Sequence, residues 1–255
     1  MKASIPWRAK FKAFATHLLL SVVVFAAIIA LTIWLWYPQP FFWIDGGLQI
    51  TLLAAAIDIV AGPLLTLVVY RPRKPRLMMN LAVIAAIQAG ALAWGVDALY
   101  SQRPVLAAYL GHKQNRIFPI TEAQTQGGAR SLEELRALSA SRPPMVFIDL
   151  PEDDAEAARL LTSAISSVLR QTERFQRIDA ERLARIVQAS RTAKNYEVLA
   201  PEMAAAINRF VASNGGNADA FAFVPLVGRF GNSMLALSRT DGSLVGVAAT
   251  ELSLK

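Results

Sequence analysis

The chain has 255 residues, of which 54% are apolar and 18% are charged, and its formal net charge is +7. A soluble domain usually carries about 25% charged residues, so this composition argues against an ordinary soluble domain and excludes a disordered chain. Because the sequence contains no cysteine, a disulfide framework and thiolate metal sites are also excluded. The excess of basic residues is typical of a protein that binds nucleic acid or of one that contacts a membrane. The positions of the charges in the sequence distinguish these two possibilities.

Three long apolar runs occupy the first hundred residues, at positions 14–37, 48–70 and 77–100. Each has 23 or 24 residues. At about 1.5 Å per residue this length crosses a hydrocarbon layer about 30 Å thick. The first run is too long for a signal peptide and no small-x-small cleavage site follows it, so we predict an uncleaved signal anchor. The sequence therefore predicts three transmembrane helices.

Basic residues flank these runs on one side only. All eight Lys and Arg residues before position 101 lie either ahead of the first run or between the second and third. Since positive charge marks cytoplasmic loops, residues 1–13 and 71–76 are predicted to be cytoplasmic, and the turn 38–47 and residues 101–255 to lie outside. The charges then explain topology and contacts with lipid head groups, and nucleic-acid binding loses its support. The eight residues are Lys2, Arg8, Lys10, Lys12, Arg71, Arg73, Lys74 and Arg76.

An aromatic cluster follows the first run. Trp and Tyr favour the boundary between membrane and water, so we predict an aromatic belt at the outer interface. Its members are Trp34, Trp36, Tyr37, Phe41, Phe42 and Trp43.

Asp58 lies near the middle of the second run, where a carboxylate costs about 2.5–3.5 kcal/mol on insertion scales. It shares a helical stripe with Gly62 and Thr66, and that stripe is expected to face other helices. Pro63 removes a backbone donor, which predicts a free carbonyl at Ile59 and a kink. Three readings stay open: a neutral acid that locks the bundle, recognition of a partner helix, and movement of protons.

The third run supplies a possible partner for this acid and a second motif. Gln88 lies at about the depth of Asp58, so it is a plausible hydrogen-bond partner. Ala82, Ala86 and Gly90 follow one another at four-residue spacing, which lets two helices approach closely. Packing within the protein is the commoner explanation of this pattern, and docking of a foreign helix is the alternative.

Residues 101–255 are long enough for a core of their own and are predicted to form an α+β domain of undetermined strand order. An Asp-Gly pair at 241–242 predicts a hairpin near the end. A loop with a short helix is expected at 127–141. The predicted helices are 151–170, 179–190 and 201–213, and the predicted strands are 145–150, 220–227, 233–239 and 243–249.

Catalytic motifs are absent from the sequence. The two histidines, His17 and His112, lie on opposite sides of the predicted membrane or nearly so, and no zinc-protease, P-loop or dinucleotide fingerprint occurs. Gly228 to Gly231 form a lone G-x-x-G, which is expected to be a turn. The sequence therefore predicts no enzyme and no cofactor.

Two segments together resemble a known family. Ile57 to Pro75 (IDIVAGPLLTLVVYRPRKP) and Leu81 to Gly95, followed by Gln102-Arg103-Pro104-Val105, are similar to the TfpX/TfpZ type IV pilin accessory proteins. Asn80 departs from the pattern, since family members often carry Asp there. The matching residues are Asp58, Gly62, Pro63, Leu64, Leu65, Thr66, Gln88, Arg103 and Pro104.

The resemblance implies a bacterial inner-membrane protein with a periplasmic domain that stabilises a cognate type IV pilin or promotes its assembly. Its expected partners are the major pilin, through its transmembrane helix and periplasmic head, membrane lipids, and other pilus-assembly proteins. A periplasmic sensor and a small proton-coupled transport component that uses Asp58 are the alternatives. The oligomeric state stays open. The candidate partner-binding residues are Asp58, Gly62, Pro63, Thr66, Ala82, Ala86, Gln88, Gly90, Arg103 and Pro104.

Overall fold

The computed structural model describes residues 7–72, 75–111, 115–151, 153–162, 165–197 and 200–250. Of the residues named above, Lys2, Arg73, Lys74 and His112 lie outside the described residues. The chain divides into two compact units. The first comprises Met1–Trp36 and Gly47–Ser101, and the second comprises Tyr37–Gly46 and Gln102–Lys255.

The helices in chain order are α1 (Trp7–Leu31), α2 (Phe41–Ile44), α3 (Gly47–Ala55), α4 (Gly62–Val69), α5 (Leu77–Ser101), α6 (Glu122–Thr125), α7 (Leu132–Arg136), α8 (Asp154–Thr162), α9 (Ile165–Val168), α10 (Ala180–Ala189) and α11 (Pro201–Ser213). The strands are β1 (Pro104–Leu110), β2 (Arg116–Thr121), β3 (Met145–Ile148), β4 (Phe175–Gln176), β5 (Phe221–Val227), β6 (Asn232–Ser238) and β7 (Leu244–Thr250).

The first unit consists of three helical runs that are long and apolar enough to cross a membrane: Trp7–Trp36, Gly47–Val69 and Leu77–Ser101. The first run begins upstream of its predicted start at position 14. α1 and α5 each pack against the second run, which therefore lies centrally among the three. Large apolar side chains on all three runs, such as Leu19 and Ile87, are exposed on the protein surface, as a lipid-facing surface requires.

A π-helical stretch, Ala56–Ala61, separates α3 from α4 and contains Asp58. There the Gly62 N–H bonds to the carbonyl of Ile57, five residues earlier. In this register the donor that Pro63 lacks would have served the carbonyl of Asp58. The expectation that Pro63 frees the carbonyl of Ile59 assumed an α-helical register, and Ile59 lies in this π-helical stretch.

The second unit is built on a seven-stranded mixed sheet with the order β4-β3-β1-β2-β5-β6-β7. β1 pairs in parallel with β3, and β2 pairs in parallel with β5, while the remaining pairs are antiparallel. Every residue of β1 is buried, as expected for an interior strand that lies between β3 and β2. α11 covers part of the other half, where Ile207 and Val211 share a core cluster with Phe223 and Met234.

Most predicted elements of this unit are confirmed, including β5, β6, β7, α10 and α11. β1 and β2 were not predicted. The continuous apolar run of β1 has no alternating pattern and follows directly after a membrane helix, so periodicity does not identify it.

The predicted helix 151–170 is wrong in its extent. Its first part is α8, and the Oδ1 atom of Asp153 accepts a hydrogen bond of 2.8 Å from the Glu156 N–H, as a capping residue does. Its second part is α9, which ends at Val168 and is followed by turns.

The predicted turn 38–47 is almost entirely part of the second unit, and half of the predicted aromatic belt is wrong. Tyr37 and Phe41 are 0% exposed and Phe42 is 3% exposed, whereas Trp34 and Trp43 are exposed. The buried aromatic residues are therefore core residues. The segment Tyr37–Gly46 is called the strap below.

Candidate functional site

A cavity of about 160 Å³ lies in the first unit between α1, the π-helical stretch and α5. His17, Ser21 and Phe25 line it from α1, and Ala85 and Ala89 line it from α5. Asp58 and Gln88 contribute its main polar groups. This cavity is called the groove below.

Asp58 and Gln88 are almost completely buried, with 7% and 9% of their surface exposed. The Gln88 side chain lies close enough to Asp58 to interact with its carboxyl group. Among the described residues, Asp58 Oδ2 and Gln88 Oε1 have no hydrogen-bond partner. Two acceptor oxygens beside the groove are thus left without a donor.

Gly62 makes this contact possible. A Cβ atom built on Gly62 would overlap the Gln88 side-chain amide, with the amide nitrogen nearest. The absence of a side chain at position 62 therefore provides the space through which Gln88 reaches Asp58. Pro63 follows it and is buried.

The end of the second run nearest Val69 is tied to α1 by polar contacts. His17 Nδ1 lies 2.6 Å from Thr66 Oγ1. Lys10 Nζ donates to the carbonyls of Leu67 and Val68 at 3.0 and 3.1 Å, and only 7% of Lys10 is exposed. A cation at these last carbonyls of α4 completes their hydrogen bonding and suits the negative end of the helix dipole.

Ala82, Ala86 and Gly90 are exposed on the surface of α5. A Cβ atom added at Gly90 would meet nothing within 4 Å. Packing within the protein, the commoner explanation of this spacing, is therefore wrong for these three residues. They extend the small-residue surface that begins at Ala85 and Ala89 on the edge of the groove.

The other two candidate residues lie in the second unit. Arg103 forms an ion pair with Glu122 at the start of α6. Pro104 is the first residue of β1 and pairs with Thr121 of β2. The structure thus places eight of the ten candidates in the helical unit and these two at the beginning of the sheet.

The second unit contains an ion pair that the sequence did not indicate. Asp45, in the strap, accepts hydrogen bonds from Arg229 Nε at 3.0 Å and from the Arg229 N–H at 3.3 Å. Arg229 Nη2 donates to the Asp45 carbonyl at 2.5 Å, and Nη1 donates to Gln102 Oε1 at 2.8 Å. In the sequence, Asp45 is the only acid of the turn 38–47 and Arg229 is the only arginine of the G-x-x-G motif. No sequence pattern indicates that these two residues contact each other.

Backbone contacts reinforce this ion pair. The Phe230 N–H donates to the Ile44 carbonyl at 2.8 Å, and a Cβ atom at Gly228 would overlap that same carbonyl. The G-x-x-G motif thus forms the predicted turn. It is also the surface against which the strap packs. Asp45 is 1% exposed, and burial raises the pKa of its carboxyl group, while the Arg229 guanidinium partly offsets that rise.

The structure therefore combines three membrane-type helices carrying a polar groove with a mixed-sheet domain, which defines a membrane protein. A protein-family model described as "Fimbrial assembly protein FimB" matches residues 5–46 of the chain. The fimbrial assembly protein of serogroups C1 and C2 of Dichelobacter nodosus is 34% identical over 95 residues, which is 36% of this chain and 72% of that relative. The chain belongs to this fimbrial assembly protein family.

Two further relatives from Dichelobacter nodosus are longer than that one. The fimbrial assembly proteins of serogroups E1 and I are 35% and 34% identical over 95 residues, again 36% of this chain. The match spans only 37% of the length of each. No solved structure matches the chain.

Proposed function

We propose that this protein is a pilin accessory protein of the TfpX/TfpZ type. In this proposal it resides in the bacterial inner membrane and stabilises a cognate type IV pilin or promotes its assembly into pili, without enzymatic activity. Membership of the fimbrial assembly family supports the assembly role. The TfpX/TfpZ resemblance of residues 57–75 supports the finer assignment.

The groove is the observation that supports a pilin as the binding partner. A major pilin carries an apolar transmembrane helix and a periplasmic head, so an accessory protein must hold a single helix within the membrane. The groove offers polar acceptors at Asp58 and Gln88 beside a surface of small residues. Small residues let a foreign helix approach closely, and interhelical hydrogen bonds then hold it.

The proposed topology has a cytoplasmic amino terminus and a periplasmic sheet domain. Because the chain has no cysteine, single cysteines introduced into it report on each side separately. Asp219 and Arg71 are both exposed. A membrane-impermeant maleimide is expected to label Asp219→Cys and not Arg71→Cys in cells with a permeable outer membrane. The reverse labelling would contradict this orientation.

Deletion of the gene tests the function, and a matched pair of variants tests the groove. We expect the deletion to abolish surface pili made from the cognate pilin. Asp58→Leu is expected to reduce co-purification of that pilin, whereas Val60→Leu, an exposed position on the same helical run, is expected to leave it unchanged. Unchanged piliation with every pilin in the strain would refute the assembly role. Equal recovery of pilin with Asp58→Leu at normal protein level would refute the role of the groove.

A proton-coupled role is the second candidate, because an acid and His17 line the same cavity. The two functions differ in what they require of Asp58. Docking needs a hydrogen-bonding side chain, so Asp58→Asn is expected to support piliation. Proton transfer needs a titratable group, so in that case Asp58→Asn fails and Asp58→Glu retains function.

A further inference from the structure

The polar part of the groove contains two buried oxygens without a hydrogen-bond partner. Asp58 Oδ2 and Gln88 Oε1 are buried and have no partner among the described residues. In a hydrocarbon environment unpaired acceptors are unfavourable, because no water is present to supply a proton. Because Gln88 Oε1 can only accept a hydrogen bond, an occupant that pairs with it must bring an N–H or O–H group.

The shape of the groove limits what can bring that group. A volume of about 160 Å³ holds one or two side chains but not a second helix. The helix that carries such a side chain can instead lie along α5, where Ala86 and Gly90 are exposed next to the groove wall formed by Ala85 and Ala89. A short segment of a lipid acyl chain fits the volume, but it has no donor for the two oxygens.

We propose that the groove recognises a transmembrane helix by an uncharged hydrogen-bond donor at the depth of Asp58. The donor is a carboxamide, a hydroxyl or a protonated carboxyl group, and it inserts between α1 and α5 to reach Asp58 Oδ2 and Gln88 Oε1. This inference deepens the proposed function, since it rests on the groove being a helix-binding site and names the chemistry it selects.

Synthetic single-span peptides test the inference without any pilin. The full-length protein, carrying a fluorescent donor, is reconstituted in phosphatidylcholine–phosphatidylglycerol vesicles with Leu/Ala peptides that have either Asn or Leu at the central position. Energy transfer to a labelled peptide measures association. The Asn peptide is expected to bind on the order of ten-fold more tightly than the Leu peptide, as interhelical hydrogen bonds in model peptides do. A peptide with Asn moved one helical turn towards an end is expected to lose that advantage.

Variants test whether the preference for the Asn peptide depends on Asp58 Oδ2 and Gln88 Oε1. The double substitution Asp58→Leu with Gln88→Leu is expected to bind both peptides equally, while Val60→Leu retains the preference. Equal binding of the two peptides by the wild type would overturn the inference, as would a preference that persists in the double variant. Binding of neither peptide would also overturn it, because lipid would then occupy the groove. The wild-type comparison stands even if the double variant fails to fold.

These outcomes are separate from those of the proposed function. If the wild type prefers the Asn peptide but piliation is normal without the gene, the recognition chemistry stands and the pilin role fails. If piliation requires the gene but the peptides are not distinguished, the pilin role stands and this inference fails.

Discussion

At the scale of single residues, three residues of the helical unit depend on one another. Asp58 is buried in the second run, Gln88 reaches it from α5, and Gly62 provides the space for that reach. The stripe of Asp58, Gly62 and Thr66 is explained by this arrangement, since Gln88 fills the space at Gly62 and His17 contacts Thr66. Glycine at position 62 is thus a requirement of packing and not of backbone conformation.

Gly62→Ala is predicted to destabilise the helical unit, because the added methyl group displaces the Gln88 amide. Overpacking of this kind costs about 1–3 kcal/mol. Gly90→Ala is the matched control, since its methyl group meets nothing within 4 Å and alanine favours a helix by up to about 1 kcal/mol over glycine. Thermal unfolding of both variants in detergent measures the difference. Equal melting temperatures would contradict the role of Gly62.

Arg229→Met is predicted to destabilise the second unit, because it leaves the buried Asp45 carboxylate without its main partner. Loss of a partner from a buried polar group costs about 1–3 kcal/mol. Arg209→Met, which alters an exposed arginine on α11, is the control and is expected to change stability little.

The destabilisation by Arg229→Met is also predicted to depend on pH. Arg229 lowers the pKa of Asp45 against the effect of burial, so its removal raises that pKa further. An acid whose pKa is raised in the folded state binds its proton more tightly when folded, and stability then falls as pH rises above the unfolded value of 3.8. Urea unfolding at several pH values is expected to show a larger effect at neutral than at acidic pH. A constant difference would show that Asp45 is not the group responsible.

At the scale of elements, the sheet has a buried centre and protected edges. β1 lies between β2 and β3 with all its residues buried, whereas β7 is an edge strand with irregular pairing at two places along β6. Such irregularities hinder the addition of another strand at an edge. At the other edge, β4 has only two residues, which has the same effect.

Leu106→Ala in β1 is predicted to cost about 2–5 kcal/mol, because Leu106 is completely buried in a core cluster with Val146 and Phe175. Val245→Ala in β7 is the control, since Val245 is 42% exposed and its truncation removes little buried surface. Urea unfolding followed by near-ultraviolet circular dichroism compares the two. A similar loss for both would contradict the interior position of β1.

At the scale of the whole chain, the division into units does not follow the order of the sequence. The strap is inserted between two membrane-type helices, yet it clusters with the sheet domain and buries Tyr37, Phe41 and Ile44. Domain boundaries drawn at residue 101 alone therefore omit part of the folded domain.

A domain that starts at Gln102 is predicted to be less stable than the same domain preceded by Tyr37–Gly46 and a short Gly/Ser linker. Arg229 contacts both Asp45 and Gln102, so a short linker can join the strap to the domain. Burial of each large apolar side chain contributes about 1.5–3 kcal/mol, so a loss of several kcal/mol is expected. Chemical unfolding of the two proteins provides the measurement, and a strap of scrambled sequence is the control. Equal midpoints would show that the strap does not stabilise the domain.

The sequence by itself determined the three apolar runs, their basic flanks and the periodic elements of the second unit. These features are local, because length, charge and alternation are properties of neighbouring residues. It also predicted that Asp58 and Gln88 lie at a similar depth, which follows from helical rise alone. The sequence did not predict the strand order, the interior strand β1 or the pairing of Asp45 with Arg229.

Only the tertiary structure decided those features, because each depends on residues distant in sequence. Asp45 and Arg229 meet through the folding of a whole sheet between them, and no local pattern encodes that contact. The same holds for the groove. Its acceptors come from two helices and its walls from α1 and α5, so the excess of unpaired oxygens appears only when the three runs are packed together.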